Sequence, residues 1–100
     1  MELEGSYLVV WVPHEAVAVL LGFQPAEGEP VGPWAFAGRV HGESPIGVWL
    51  AVDTMLTPGE EELSQEDQPI YLLRWEWIMR ARLFIEPPRQ IPRIGFLPPE

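Results

Sequence analysis

One hundred residues with 47% apolar content and a formal charge of −9 make one small, folded, acidic domain. Phosphate recognition needs clustered positive charge, so this balance argues against a large nucleic-acid footprint and against an anionic membrane surface. The absence of cysteine excludes disulfides, thiol chemistry and thiolate metal sites.

The start, Met1-Glu2-Leu3-Glu4, lacks the basic region of a signal peptide. The longest apolar run, Ala16 to Phe23, falls far short of the roughly 20 residues that span a bilayer. Cytoplasmic residence is the expectation. Tyr7 to Val12 is apolar and β-branched and reads as a strand. The run after Pro13-His14-Glu15 is ambiguous. Pro13 and Gly22 punctuate it as a short helix, whereas its valines mildly favour a strand.

Gln24 to Pro33 holds three prolines and two glycines and reads as a loop. From Trp34 to His41, residues Trp34, Phe36, Gly38 and Val40 alternate against Ala35, Ala37, Arg39 and His41. Gly42-Glu43-Ser44-Pro45 is a turn. Ile46 to Asp53 follows as a strand, with Ile46, Val48, Leu50 and Val52 on one face. The two strands form a hairpin. Thr57 to Gln68 is polar, and Thr57-Pro58-Gly59-Glu60 fits a helix capping box, so one helical turn is expected there.

Ile70 to Ile85 carries the clearest pattern. Tyr71, Leu73, Trp75, Trp77, Met79, Ala81, Leu83 and Ile85 are all apolar, and the even positions are mixed. At about 100° per residue, Arg74, Glu76, Arg80 and Arg82 would scatter around a helix, so period two wins and the segment reads as β. A strand this long is expected to bend, serving two sheets or continuing into a second strand. Its odd positions are assigned to the core and its even charged positions to solvent or a partner. Glu86 to Glu100 contains five prolines in fifteen residues and suggests an extended tail over residues 87–100, beyond a domain over 1–86. The apolar Ile91, Ile94, Phe96 and Leu97 predict that this tail is ordered against a folded surface.

The fold class is thus all-β, a small closed barrel of about five strands with a proline-rich C-terminal tail. Phe36-Ala37-Gly38-Arg39-Val40, a turn, Gly47-Val48-Trp49-Leu50-Ala51-Val52-Asp53, a polar loop and Tyr71-Leu72-Leu73-Arg74-Trp75-Glu76-Trp77-Ile78 carry a resemblance. Over residues 36–85 the chain resembles the Sm-like (Hfq-type) family. That resemblance implies a bent five-stranded sheet, ring-shaped oligomers and single-stranded RNA binding. The family's RNA-contacting asparagine has no counterpart after Asp53, and the chain contains no asparagine. The barrel and the oligomer are therefore carried over, and no RNA-binding residue is.

Chemistry-bearing motifs are sparse. His14-Glu15 and His41-x-Glu43 are the histidine–carboxylate neighbourhoods from which a zinc site or a small-ligand enzyme would be built. Ser44, His41 and Asp53 are the residue types of a nucleophilic triad, without a nucleophile elbow. Glu60-Glu61-Glu62 reads as a solvated acidic face. No phosphate loop or cofactor motif is present, so no catalytic residue, metal ligand or cofactor is assigned. The candidate interaction surface comprises Arg74, Glu76, Arg80, Arg82, Arg89, Arg93 and Phe96. Cross-strand ion pairing is weighed there against a recognition stripe of arginine between aromatics. The expected partner is a second copy or another protein, with nucleic acid and membrane disfavoured.

Overall fold

A computed structural model describes residues 3–22 and 32–88. The fold is mostly antiparallel β-sheet with one short helix. The first strand, β1 (Tyr7–Val12), leads into helix α1 (His14–Leu21). Then come β2 (Trp34–Glu43), β3 (Gly47–Leu56), β4 (Glu62–Ser64) and β5 (Ile70–Arg74). A 3-10 turn at Trp75–Trp77 connects β5 to β6 (Arg80–Phe84). The sheet runs β4-β3-β2-β1-β6, and β5 also pairs with β3. β4 takes Thr54–Leu56 of β3, and β5 takes Gly47–Ala51.

The ambiguous run after Pro13 is helical. The Pro13 carbonyl accepts the Ala16 and Val17 amides. Gly22 closes the helix at φ 72°, donating its N–H to the Ala18 carbonyl at 2.8 Å. That left-handed conformation suits glycine, and this punctuation outweighs the mild penalty of the valines.

Two bulges shape the β2–β3 pair. Ala37 faces Thr54 while Gly38 faces Val52, which leaves Asp53 as the extra residue. Val40 faces Leu50 while Gly42 faces Trp49, which leaves His41 extra. Each bulge bends its strand and adds twist. At the first bulge the backbones approach closely: a Cβ on Gly38 would lie 1.9 Å from the Ala51 carbonyl oxygen.

The main core collects Leu8, Val10 and Val12 of β1 with Phe36, Leu50 and Leu73, among others, and α1 adds Ala16 and Val17. A second cluster occupies the opposite face of β1 and β2: Tyr7, Val9, Trp11, Ala35, Ala37 and Leu56, with Phe84 packed against it. All six residues of β1 are therefore buried. An unbroken apolar run, without alternation, suits a strand covered on both faces.

Three expectations need correction. Residues 70–85 do continue into a second strand, through the 3-10 turn, but the odd-position core face ends at that turn: Ala81 and Leu83 stand opposite Val10 and Leu8 on an edge strand that leaves them uncovered. Leu73 is buried and Tyr71 and Trp77 are half-buried, whereas Trp75, Met79, Ala81, Leu83 and Ile85 are exposed. The capping box makes no helical turn. Thr57 Oγ1 accepts the Glu61 amide at 3.1 Å and Glu60 adopts φ 70°, so the chain turns and pairs as β4. Ile46, expected as a strand residue on one face with Val48, Leu50 and Val52, sits exposed in the turn before β3, whereas those three are fully buried. The loop over 24–33 and the tail over 87–100 lie mostly outside the described residues.

Candidate interaction surface

The arginines of the expected surface divide into two groups. Arg74 ends β5 and pairs with Glu76 of the 3-10 turn at 2.8 Å, both well exposed. Arg80 and Arg82 lie on β6, on the same face as the second apolar cluster. The Arg80 guanidinium sits 5.3 Å from the centre of the Trp11 ring, and Arg82 sits 5.4 Å from that of Phe84. Arg39 of β2 repeats the arrangement over Tyr7 at 5.5 Å and donates to the Gly5 carbonyl. Each of these arginines keeps its charge over an aromatic face, where the ring quadrupole attracts it. Arg89, Arg93 and Phe96 lie outside the described residues.

Hydrogen-bond parity shows which backbone groups are open. Val52 donates to the Pro69 carbonyl and Trp75 to the Ile46 carbonyl. In an antiparallel ladder bonded residues alternate, so Tyr71 and Leu73 bond β3 and the backbone groups of Ile70, Leu72 and Arg74 point away from it. On the other side, Val40 donates to the Ser6 carbonyl. The even residues of β1 thus face β2, and Tyr7, Val9 and Trp11 face β6. Their partners Phe84, Arg82 and Arg80 bond β1, which leaves Ala81 and Leu83 with outward-pointing N–H and C=O groups. Among the described residues, β6 pairs with no strand but β1, and β5 with none but β3.

Large exposed apolar side chains gather along these same edges. Ile70 is 46% exposed on β5, with Trp49 at 42% on the adjacent β3. Leu83 is 47% exposed on β6 and Ile85, just beyond it, is 91% exposed. Trp75 and Met79 are exposed between the two strands, where the Trp75 indole N–H donates to the Ser44 carbonyl at 3.0 Å. Open strand edges flanked by apolar side chains are templates for pairing with another strand. No protein-family model, curated protein or solved structure matches this chain.

The catalytic alternatives are not assembled. His14 opens α1 beyond the Val12 end of β1, and His41 lies beyond the Tyr7–Arg39 pair at the other end. Trp34 lies opposite Val12, so seven residue steps of β2 separate that end from His41, roughly 23 Å at about 3.3 Å per residue. Asp53 turns to other partners: it accepts the Tyr7 hydroxyl at 2.8 and 3.1 Å and the Thr54 hydroxyl at 2.8 Å. Ser44 is engaged within its own turn, accepting the Ile46 and Gly47 amides. Burial, then the Asp53 carboxylate, raises the Tyr7 phenol well above its ordinary value, and Arg39 opposes this. Tyr7 therefore holds its proton and ties β1 to β3. Among the described residues no three His, Asp or Glu side chains gather to hold a metal, and no helix is long and apolar enough to cross a membrane. Among the described residues Trp11 Nε1 and His14 Nδ1 are buried without a hydrogen-bond partner, which costs stability.

Sequence reasoning placed Arg74, Glu76, Arg80 and Arg82 outside, but missed the apolar edge, because unbroken alternation assigned Leu83 and Ile85 to the core. The one available signal was length: sixteen residues are too many for a single strand.

Proposed function

We propose that this chain is a non-catalytic interaction module, built on a small SH3- or Sm-like barrel, that associates with itself. The observation that carries the reading is the coincidence of open backbone groups with exposed Ile70, Leu83 and Ile85 at the two sheet edges. The barrel is supported by a main core drawn from one face of successive strands, and by the 3-10 turn that hands the chain from β5 to β6 beside β1. A cytoplasmic setting accords with the absence of cysteine.

Nucleic-acid binding is the weaker reading. The four arginines of the described residues are engaged within the chain, three over rings and one with Glu76. Light scattering on the full chain tests self-association: a mass above 11.3 kDa that rises with concentration is expected. A constant monomer mass into the millimolar range would refute it. A fluorescence titration with single-stranded RNA at physiological salt is expected to show no binding. Micromolar affinity that collapses with added salt would reverse that order of readings.

A further inference from the structure

We infer that two copies of this chain join through β6, strand against strand about a two-fold axis centred on Leu83. The inference deepens the reading of the chain as a self-associating module and rests on it.

The outward N–H and C=O groups of β6 belong to Ala81 and Leu83. An antiparallel partner must therefore bond through odd residues, and this leaves few registers. Centring the axis on Arg82 sets that residue opposite Arg82 of the partner subunit. Centring it on Ala81 sets Arg80 opposite the partner's Arg82. Like charges directly opposite one another are unfavourable, so both registers are opposed.

Centring on Leu83 reverses the balance. Leu83 meets the partner's Leu83, and Ala81 meets the partner's Ile85. On the other face, Arg80 meets the partner's Glu86 and Arg82 meets the partner's Phe84. These even residues occupy non-hydrogen-bonded pairs, where side chains approach most closely. The register thus matches opposite charges twice, by symmetry, and covers the exposed Leu83 and Ile85. It requires Ile85 and Glu86, which lie in the bend that follows β6, to stay beside the partner strand.

A two-fold contact of this kind closes on itself and gives a dimer, whereas joining β6 of one copy to β5 of the next would propagate into rings or filaments. Strand addition through one short edge buries less than a standard interface, so the dimer forms and dissociates readily.

Two independent experiments on the full chain test the inference. Because the chain has no cysteine, Leu83→Cys introduces a single thiol. Across the axis its Cα–Cα separation is about 5.5 Å, within disulfide range. Mild oxidation is expected to yield a covalent dimer rapidly from Leu83→Cys and not from Leu72→Cys on the β5 edge. In sedimentation, Glu86→Arg is expected to weaken dimerisation by about tenfold or more. Combining it with Arg80→Glu should restore affinity to within about threefold, by returning opposite charges to each pair. Unchanged circular dichroism for Glu86→Arg separates this from misfolding.

Self-association that ignores residues 83 and 86, or assemblies larger than a dimer, would overturn the β6 register and leave the self-association reading standing. A monomer at every concentration, its β6 edge taken up by another part of its own chain, would remove both.

Discussion

Gly38 and Gly42 stand on the same strand, four residues apart, in opposite surroundings. An added Cβ at Gly38 would lie 1.9 Å from the Ala51 carbonyl oxygen and 2.7 Å from its carbon. At Gly42 it would meet nothing within 4 Å. An ordinary carbon–oxygen contact needs about 3.3 Å, so Gly38→Ala forces β2 and β3 apart by more than an ångström at the Asp53 bulge. Overpacking against movable side chains costs about 1–3 kcal/mol. Here the obstacle is backbone within a ladder, and a loss of about 3 kcal/mol is expected. For a domain of this size that lowers Tm by about 12–24 °C. Gly42→Ala is expected to change stability by less than about 1 kcal/mol, in the stabilising direction, by reducing the freedom of the unfolded chain. Urea unfolding monitored by tryptophan fluorescence measures both. Equal effects from the two substitutions would refute the close approach of β2 and β3.

Tyr7→Phe removes a hydroxyl bonded to the Asp53 carboxylate and is expected to cost about 1.5–3 kcal/mol at neutral pH. Because the folded phenol is raised, this contribution is complete below the ordinary tyrosine value near pH 10 and is lost as pH rises beyond it. The stability difference between wild type and Tyr7→Phe, measured by denaturation from pH 8 to 11, should therefore shrink above about pH 10; a constant difference would contradict the Tyr7–Asp53 bond. Trp77→Ala should cost about 2–3 kcal/mol, below the range for a fully buried aromatic, since Trp77 is only half-buried against the main core. A calorimetric loss near zero would show that this ring does not support the core. Gly22→Ala should cost about 1 kcal/mol at the left-handed helix end, and Gly22→Asn less; a neutral alanine in thermal denaturation would contradict that cap.

Alternation was informative on the strands inside the sheet and on β5. It grouped Val48, Leu50 and Val52 on one face and assigned Leu73 to the core, and all four are fully buried. It failed after Arg74 because β6 is an edge strand whose core-side Ala81 and Leu83 stay uncovered, and Trp75-Glu76-Trp77 holds no glycine or proline to mark the turn that ends β5. β4 was invisible for a different reason. Glu62-Leu63-Ser64 has no strand pattern, and pairing with Thr54–Leu56, a tertiary contact, makes it a strand. The bulges at His41 and Asp53 follow from strand registry, which local composition does not encode. The arginine surface was legible as charge on the even positions. Its rings were not, because Trp11 lies some seventy residues from Arg80 and only the β1–β6 pairing joins them.

The two-sided burial of β1 has a consequence for synthesis. Tyr-Leu-Val-Val-Trp-Val emerges from the ribosome without a charge or a proline, the composition that drives intermolecular strand stacking. α1 and β2 follow it closely, but β6 is translated more than sixty residues after β1 ends. At about 5–20 residues per second the nascent strand waits roughly 3–15 seconds for its second neighbour. During that interval one edge of this fully apolar strand lies bare. Slow codons between residues 13 and 80 would lengthen the wait, and the first aggregates of a stalled chain would be held together through residues 7–12.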